Sequence, residues 1–150
     1  MLNGRHILAT LIPHAGDMCL IETVSEWDDY HIRCHSQTHF DPANPLRRAG
    51  RLSSIHGIEY AAQAAALHGA LITKREGSVL AEGRLVAVRH ITLDVTYLDD
   101  ISIPLDIEAE RMIAAGSSFI YQFRICADEQ PLISGRLSVI ADHGITGILQ

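Results

Sequence analysis

The segment 18–27, MCLIETVSEW, is apolar and β-branched and reads as a strand. A second such run, 30–39, follows the pair Asp28-Asp29, which is turn chemistry, so the two predict a hairpin. From Phe40 to Leu52 the pattern stops, and Pro42, Pro45 and Gly50 mark a loop. A helix is predicted from Ser53 or Ser54, either of which can cap the open N–H groups of a first turn, to about Lys74. Within it Ile55, Ile58, Ala62, Ala65, Gly69 and Ile72 recur at steps of three and four, the period of one helical face. That face is small in volume and would let the helix lie close against another surface. Lys74 and Arg75 suit the carbonyl end of the helix dipole. Beyond Gly77 the pattern turns strand-like again over 78–98, 103–116, 117–128 and 131–142, with turns at Asp99-Asp100, Gly116 and Glu129-Gln130-Pro131. A hairpin, one long helix and a run of antiparallel strands make an α+β layout.

Composition narrows the class. At 150 residues, 47% hydrophobic and 20% charged, the chain is expected to form a single domain, 1–150, with a real core. No repeat, linker or low-complexity tract interrupts it, and no apolar run is long enough to cross a bilayer. The N-terminal apolar run is short, broken by Pro13 and without a small-residue cleavage pattern, so a cytoplasmic location is expected. Cys19, Cys34 and Cys126 are odd in number and widely spaced, which predicts reduced, buried thiols. A net charge of −6 argues against nucleic acid as the main partner. It still allows an acidic protein to meet a local basic patch.

Candidate chemistry gathers around the helix. One carboxylate, Glu59, is set among small residues, with Gln63 one turn after it and His56 one turn before it. Taken singly, Glu59 reads as a surface carboxylate, His39 as a surface histidine and Gln63 as a solvent-facing amide. The run HIRCHSQTH holds three histidines and a cysteine. On a strand His31, His35 and His39 would share a face but stand roughly 13 Å apart at each step, with Cys34 on the other side. Zinc needs its ligands around one centre, so no metal site is expected. There is no phosphate-binding glycine fingerprint and no nucleophile-elbow serine.

The motifs together resemble the hotdog-fold β-hydroxyacyl-(acyl carrier protein) dehydratases of fatty acid synthesis. LIPHAGDMCLIETV is similar to that family's Leu-Pro-His segment and apolar strand at Pro13, His14, Met18, Leu20, Ile21 and Val24. His39-Phe40, followed by Asp41-Pro42, is similar to its catalytic His-Phe pair. EYAAQ places Glu59 and Gln63 where the family has its helix acid and the glutamine four residues on. The helix IEYAAQAAALHG also resembles the small dehydratase-like proteins of aryl polyene clusters. The similarity spans roughly 11–141. The loop between His39 and Glu59 is longer than the family's, and no Pro-Gly opens the helix.

The resemblance implies a curved antiparallel sheet wrapped around one central helix. It implies dehydration of 3-hydroxyacyl thioesters, carried on the phosphopantetheine of acyl carrier protein, to trans-2-enoyl thioesters. His39 would be the base and Glu59 the acid, kept protonated by an apolar wall of Ile55, Ile58 and Ala62. Ser54, five positions before the acid, would offer its backbone N–H to the thioester oxygen. Gln63 would orient Glu59, and His56 is a rival base or a supporting residue. His14 would be structural. Arg47, Arg48 and Arg51 would grip the acidic carrier protein and the phosphate of its arm. No metal or redox cofactor is expected. The site would lie at a dimer interface, in a homodimer or a heterodimer with a related dehydratase, with base and acid from different subunits. Two alternatives stay open: a hotdog thioesterase using ionised Glu59 as a base on water, and a silent subunit that binds acyl chains or completes a partner's heterodimer.

Overall fold

The structure is a computed structural model that describes residues 1–12, 18–78 and 82–142. Strand β1 (Leu2–Asn3) leads into helix α1 (Arg5–Leu11). Strands β2 (Thr23–Trp27) and β3 (His31–Ser36) form the hairpin predicted at Asp28-Asp29. The Asp28 carboxylate accepts the N–H groups of Tyr30 and His31 and so fixes that turn. Helix α2 (Gly57–Arg75) follows, entered through a 3-10 turn, Ser54–His56, whose Ser53 hydroxyl caps the Ile55 N–H. Strands β4 (Glu82–Leu93), β5 (Leu105–Ala115), β6 (Ser118–Ala127) and β7 (Gln130–Asp142) complete the chain. All pairings are antiparallel, in the order β1-β2-β3-β5-β6-β7-β4.

Three differences from the sequence reading matter. Helix α1 occupies the short N-terminal apolar run, for which the sequence predicted no element; its Leu8 is fully buried. Strand β3 stops at Ser36, and His39 sits instead in a 3-10 turn, Thr38–Phe40. Helix α2 buries Tyr60, Ala61, Ala64, Leu67, His68 and Leu71 across β3, β5 and β6. The stripe from Ile55 to Ile72 lies to one side of that face: Ala65 is buried, Ile55 is 45% exposed, and the others are half-buried. The helix is apolar nearly all round, so spacing alone could not choose its buried face. The larger side chains Tyr60, Leu67 and Leu71 took the core, because each removes more apolar area from water. Small residues do serve close packing at Gly57, where a Cβ would collide with Ile133.

The core joins α2 to the inner sheet face through Ile32, Cys34, Ile107, Tyr121, Phe123, Ile125 and Leu137. The three cysteines are free and buried, as expected. Strand β4 is an edge of the sheet, and its Leu85 and Val86 are exposed. Among the described residues no helix is long and apolar enough to cross a membrane.

Candidate active site

The 3-10 turn that carries His39 is anchored on both sides. The Ser36 and Thr38 hydroxyls donate to the Leu20 carbonyl at 2.6 and 2.7 Å. The Thr38 hydroxyl also bonds the Tyr60 hydroxyl at 2.7 Å. With Thr38 donating to Leu20, Tyr60 must donate to Thr38. Burial pushes the Tyr60 phenol up to about 12, so it keeps that proton. Asn44, buried in the loop, donates to the Thr38 carbonyl at 2.9 Å and to the Tyr60 hydroxyl at 3.1 Å. Thus the residue before His39 is tied to the residue after Glu59.

The His39 ring is 1% exposed. Its Nε2 lies 2.9 Å from the Ile101 carbonyl. A carbonyl only accepts, so Nε2 carries the proton, and in a neutral ring Nδ1 is then a bare lone pair. Among the described residues that Nδ1 is buried with no hydrogen-bond partner. Burial pushes the imidazole below the ordinary histidine value, and the Arg47 charge adds to this. The backbone groups of Ile101 and Ile103 and the Glu22 charge pull the other way without overcoming it. His39 is therefore neutral near pH 7, with one nitrogen positioned by a bond and the other able to take a proton.

Glu59 is held differently. The Gln63 amide donates to the Glu59 carboxylate at 3.1 Å and to the Met18 carbonyl at 2.6 Å, while its oxygen accepts the Leu20 N–H at 2.8 Å. Gln63 is buried, not solvent-facing, and every bond fixes its orientation. The Leu20 peptide thus bonds Gln63 through its N–H and the His39 turn through its carbonyl. Two motifs read separately, around Met18-Leu20 and Glu59-Gln63, meet at this amide. Glu59 itself is half-buried, and its intended apolar wall is incomplete: Ile58 and Ala62 are half-buried and Ile55 is exposed. No hydrogen bond joins His39 to Glu59 among the described residues.

Other candidates need reassignment. The Ser54 N–H is not open to a thioester oxygen, because it donates to the Thr96 carbonyl at 2.9 Å and the residue is buried. The longer loop brings residues 96–98 alongside 52–54 and satisfies the donor there. Arg47 spends its guanidinium on the carbonyls of Asp41, Gly50 and His39. Arg51 pairs with Asp99 at 2.7 Å and Asp100 at 2.9 Å and stacks 3.9 Å over the Tyr97 ring. Among the described residues the Arg48 side chain bonds the carbonyls of Pro45 and Arg47, and the residue is exposed. Of the three, Arg51 is charge-neutralised within the fold. His56 is half-buried, with no side-chain hydrogen bond among the described residues. Pro13 and His14 lie outside the described residues.

The histidine row is broken up. His31 and His35 share the outer face of β3, where His31 meets Glu108 at 3.3 Å and His35 meets Ser25 at 3.2 Å. Cys34 points inward. Among the described residues no group of three His, Cys, Asp or Glu side chains could hold a metal ion. His68 is fully buried. It donates from Nε2 to the Asp28 carbonyl at 2.8 Å and accepts the Tyr121 hydroxyl at Nδ1, 2.7 Å. Tyr60, Thr38, Asn44 and the Ile101 carbonyl went unnoticed in the sequence. Only Tyr60, inside EYAAQ, and Thr38, beside His39, carried a positional hint.

Comparison with known proteins follows the same lines. The chain aligns over 95% of its length, and 95% of the other chain, with the dehydratase heterocomplex ApeI:P from Xenorhabdus doucetiae, at a TM-score of 0.84 and 22% identity. A hypothetical thioesterase with coenzyme A from Streptococcus pneumoniae aligns at 0.58 and 11% identity, over 81% of this chain and 85% of that one. A variant of a thioesterase from Staphylococcus aureus aligns at 0.60 and 13%, over 80% and 92%. These likenesses show the hotdog fold. No curated protein matches. A family model described as ApeP dehydratase matches residues 7–150, and the chain belongs to this ApeP-like dehydratase family.

Proposed function

We propose that the protein dehydrates 3-hydroxyacyl thioesters carried on acyl carrier protein, yielding the trans-2-enoyl thioester and water. The observation that carries this reading is the bare, buried Nδ1 of His39, whose ring is fixed by the Ile101 carbonyl. His39 takes the α-proton at that nitrogen. Glu59, aimed by Gln63, delivers a proton to the departing hydroxyl. The α-C–H electron pair becomes the double bond, the C–O bond breaks, and the thioester stays intact. Reaching Nδ1 requires the exposed Phe40 ring, 6.3 Å from the imidazole by centroid, or the neighbouring 101–103 segment to shift.

A carboxyl donates a proton at neutral pH only where water is kept from it. The exposed Ile55 and half-buried Ile58 leave that requirement unmet in one chain, which supports completion of the site by a second hotdog subunit. The long β4 edge with exposed Leu85 and Val86 suits such pairing. The likeness to a dehydratase heterocomplex supports a related but different chain as that subunit. It also supports a second reading, in which this chain is the silent member of the pair.

The test is to incubate the chain, alone and with a related hotdog dehydratase, with 3-hydroxyacyl and enoyl carrier-protein thioesters. Reversible loss and gain of water that His39→Ala in this chain removes supports the dehydratase. Free thiol release points to a thioesterase. Turnover with the partner that is indifferent to His39 assigns the silent role.

A further inference from the structure

The arginines between the candidate residues do not behave as a free cationic patch. Arg51 Nε donates to Asp99 Oδ2 and Nη2 to Asp100 Oδ1, with the guanidinium lying over Tyr97. The other oxygen of Asp99 accepts the Leu52 N–H at 2.8 Å. The Leu52 carbonyl accepts the Leu98 N–H at 2.8 Å, and the Ile101 N–H donates to the Leu98 carbonyl at 3.0 Å. These bonds bind Arg51 and Leu52 to the 3-10 turn Leu98–Asp100. The residue after that turn, Ile101, presents the carbonyl that takes the His39 Nε2 proton. On the opposite side Arg47 donates to the His39 backbone carbonyl at 3.3 Å.

We propose that Arg51 and Asp99 are positioning residues for His39: their ion pair fixes the turn whose Ile101 carbonyl locks the imidazole in its Nε2–H form. Leu52 and Leu98 are fully buried, so their backbone bonds form a stiff base. The bidentate reach of Arg51 to two successive carboxylates then sets the angle at which residue 101 leaves the turn. Without it the turn can swing, the Ile101 carbonyl moves off Nε2, and the other tautomer, with Nδ1 protonated, becomes accessible. That tautomer has no free lone pair at Nδ1. The same pair gives the lengthened loop a purpose, since the loop brings Arg51 to Asp99. The proposal rests on reading His39 as the base, but its first readout does not depend on turnover.

The experiment compares wild type with Arg51→Met, Arg51→Lys, Asp99→Asn and Arg48→Met. Asp99→Asn keeps an oxygen for the Leu52 N–H, and Arg51→Met keeps the aliphatic stem, so each variant is expected to fold. Nitrogen-15 spectra of the His39 ring report its tautomer directly. Wild type and Arg48→Met should show one protonated Nε2. Arg51→Met and Asp99→Asn should show mixing of the two tautomers, with Arg51→Lys in between. In carrier-substrate kinetics kcat should fall roughly ten- to a hundredfold in Arg51→Met through misplacement of the base, with KM little changed. A wild-type His39 spectrum in folded Arg51→Met and Asp99→Asn overturns the proposal. So does a raised KM at unchanged kcat in Arg51→Met, which would return Arg51 to carrier binding. Tautomer mixing in variants of a protein whose wild type does not turn over thioesters keeps the positioning role and removes the dehydratase reading instead.

Discussion

The surroundings of His39 and Glu59 differ in how far one chain completes them. His39 is 1% exposed, bonded at one nitrogen and bare at the other, and its turn is tied to α2 through Thr38, Tyr60 and Asn44. Glu59 is aimed by a fully satisfied Gln63 but stands half-buried beside exposed Ile55. The two regions share one peptide, Leu20, bonded to Gln63 on one side and to Ser36 and Thr38 on the other. A proton acceptor of depressed basicity can be built by burial within a monomer. A neutral carboxyl needs a further wall, and here Ile55 is exposed and Ile58 and Ala62 are half-buried.

The largest effect expected on this contrast comes from Glu59→Gln. It keeps size and the bond to Gln63 but cannot deliver a proton, so dehydration should fall roughly 10²–10⁴-fold. Near-wild-type turnover would take Glu59 out of the chemistry and leave the His39 half alone. Gln63→Leu tests the aiming. It strands the buried Leu20 N–H, at about 1–3 kcal/mol, and frees the half-buried Met18 carbonyl, read by denaturant unfolding. Dehydration should drop as Glu59 loses its guide, and unchanged turnover in a destabilised protein would make Gln63 structural only.

His68 offers a control far from either half. Burial pushes its pKa from 6.5 down to about 4, with the nearby Arg111 charge adding to this and the Asp28 carbonyl opposing it. The unfolded chain binds the proton more readily, so stability is full above about 6.5 and falls as pH drops toward 4. The loss should approach roughly 3 kcal/mol across that window, and His68→Gln should flatten the profile. His39, shifted the same way, should put the acid limb of activity below that of an ordinary histidine. The smallest effect is expected from His56→Ala, about 0.5 kcal/mol or less in stability, with proton exchange intact.

Much of this was readable before the structure. The hairpin at Asp28-Asp29 and the helix start at Ser53 follow from local turn and cap chemistry, which needs no tertiary context. The turn after β6 is tighter than read: Asp128 and Glu129 take left-handed backbone angles and Gln130 already pairs. The buried face of α2 was not readable, because alanine on every side erases the amphipathic signal. Two contacts could not be read from the sequence for one reason. For Ser54 and Arg51 the partners, Thr96, Asp99 and Asp100, lie more than forty positions away; Arg47 instead turns back onto its own loop, on carbonyls three to eight positions away. His39 was legible as a residue type beside Phe40, but its tautomer depends on Ile101, which no motif announces.

The division of labour is tested most directly by α-proton exchange of a saturated acyl carrier-protein thioester in heavy water, where no hydroxyl leaves and only the base acts. Run with the chain alone and with a related hotdog dehydratase added, wild type and Glu59→Gln should both incorporate deuterium, and His39→Ala should lose incorporation by roughly 10²–10⁴-fold. Exchange that survives in folded His39→Ala, or that disappears in Glu59→Gln, would contradict the assignment of base to His39 and acid to Glu59.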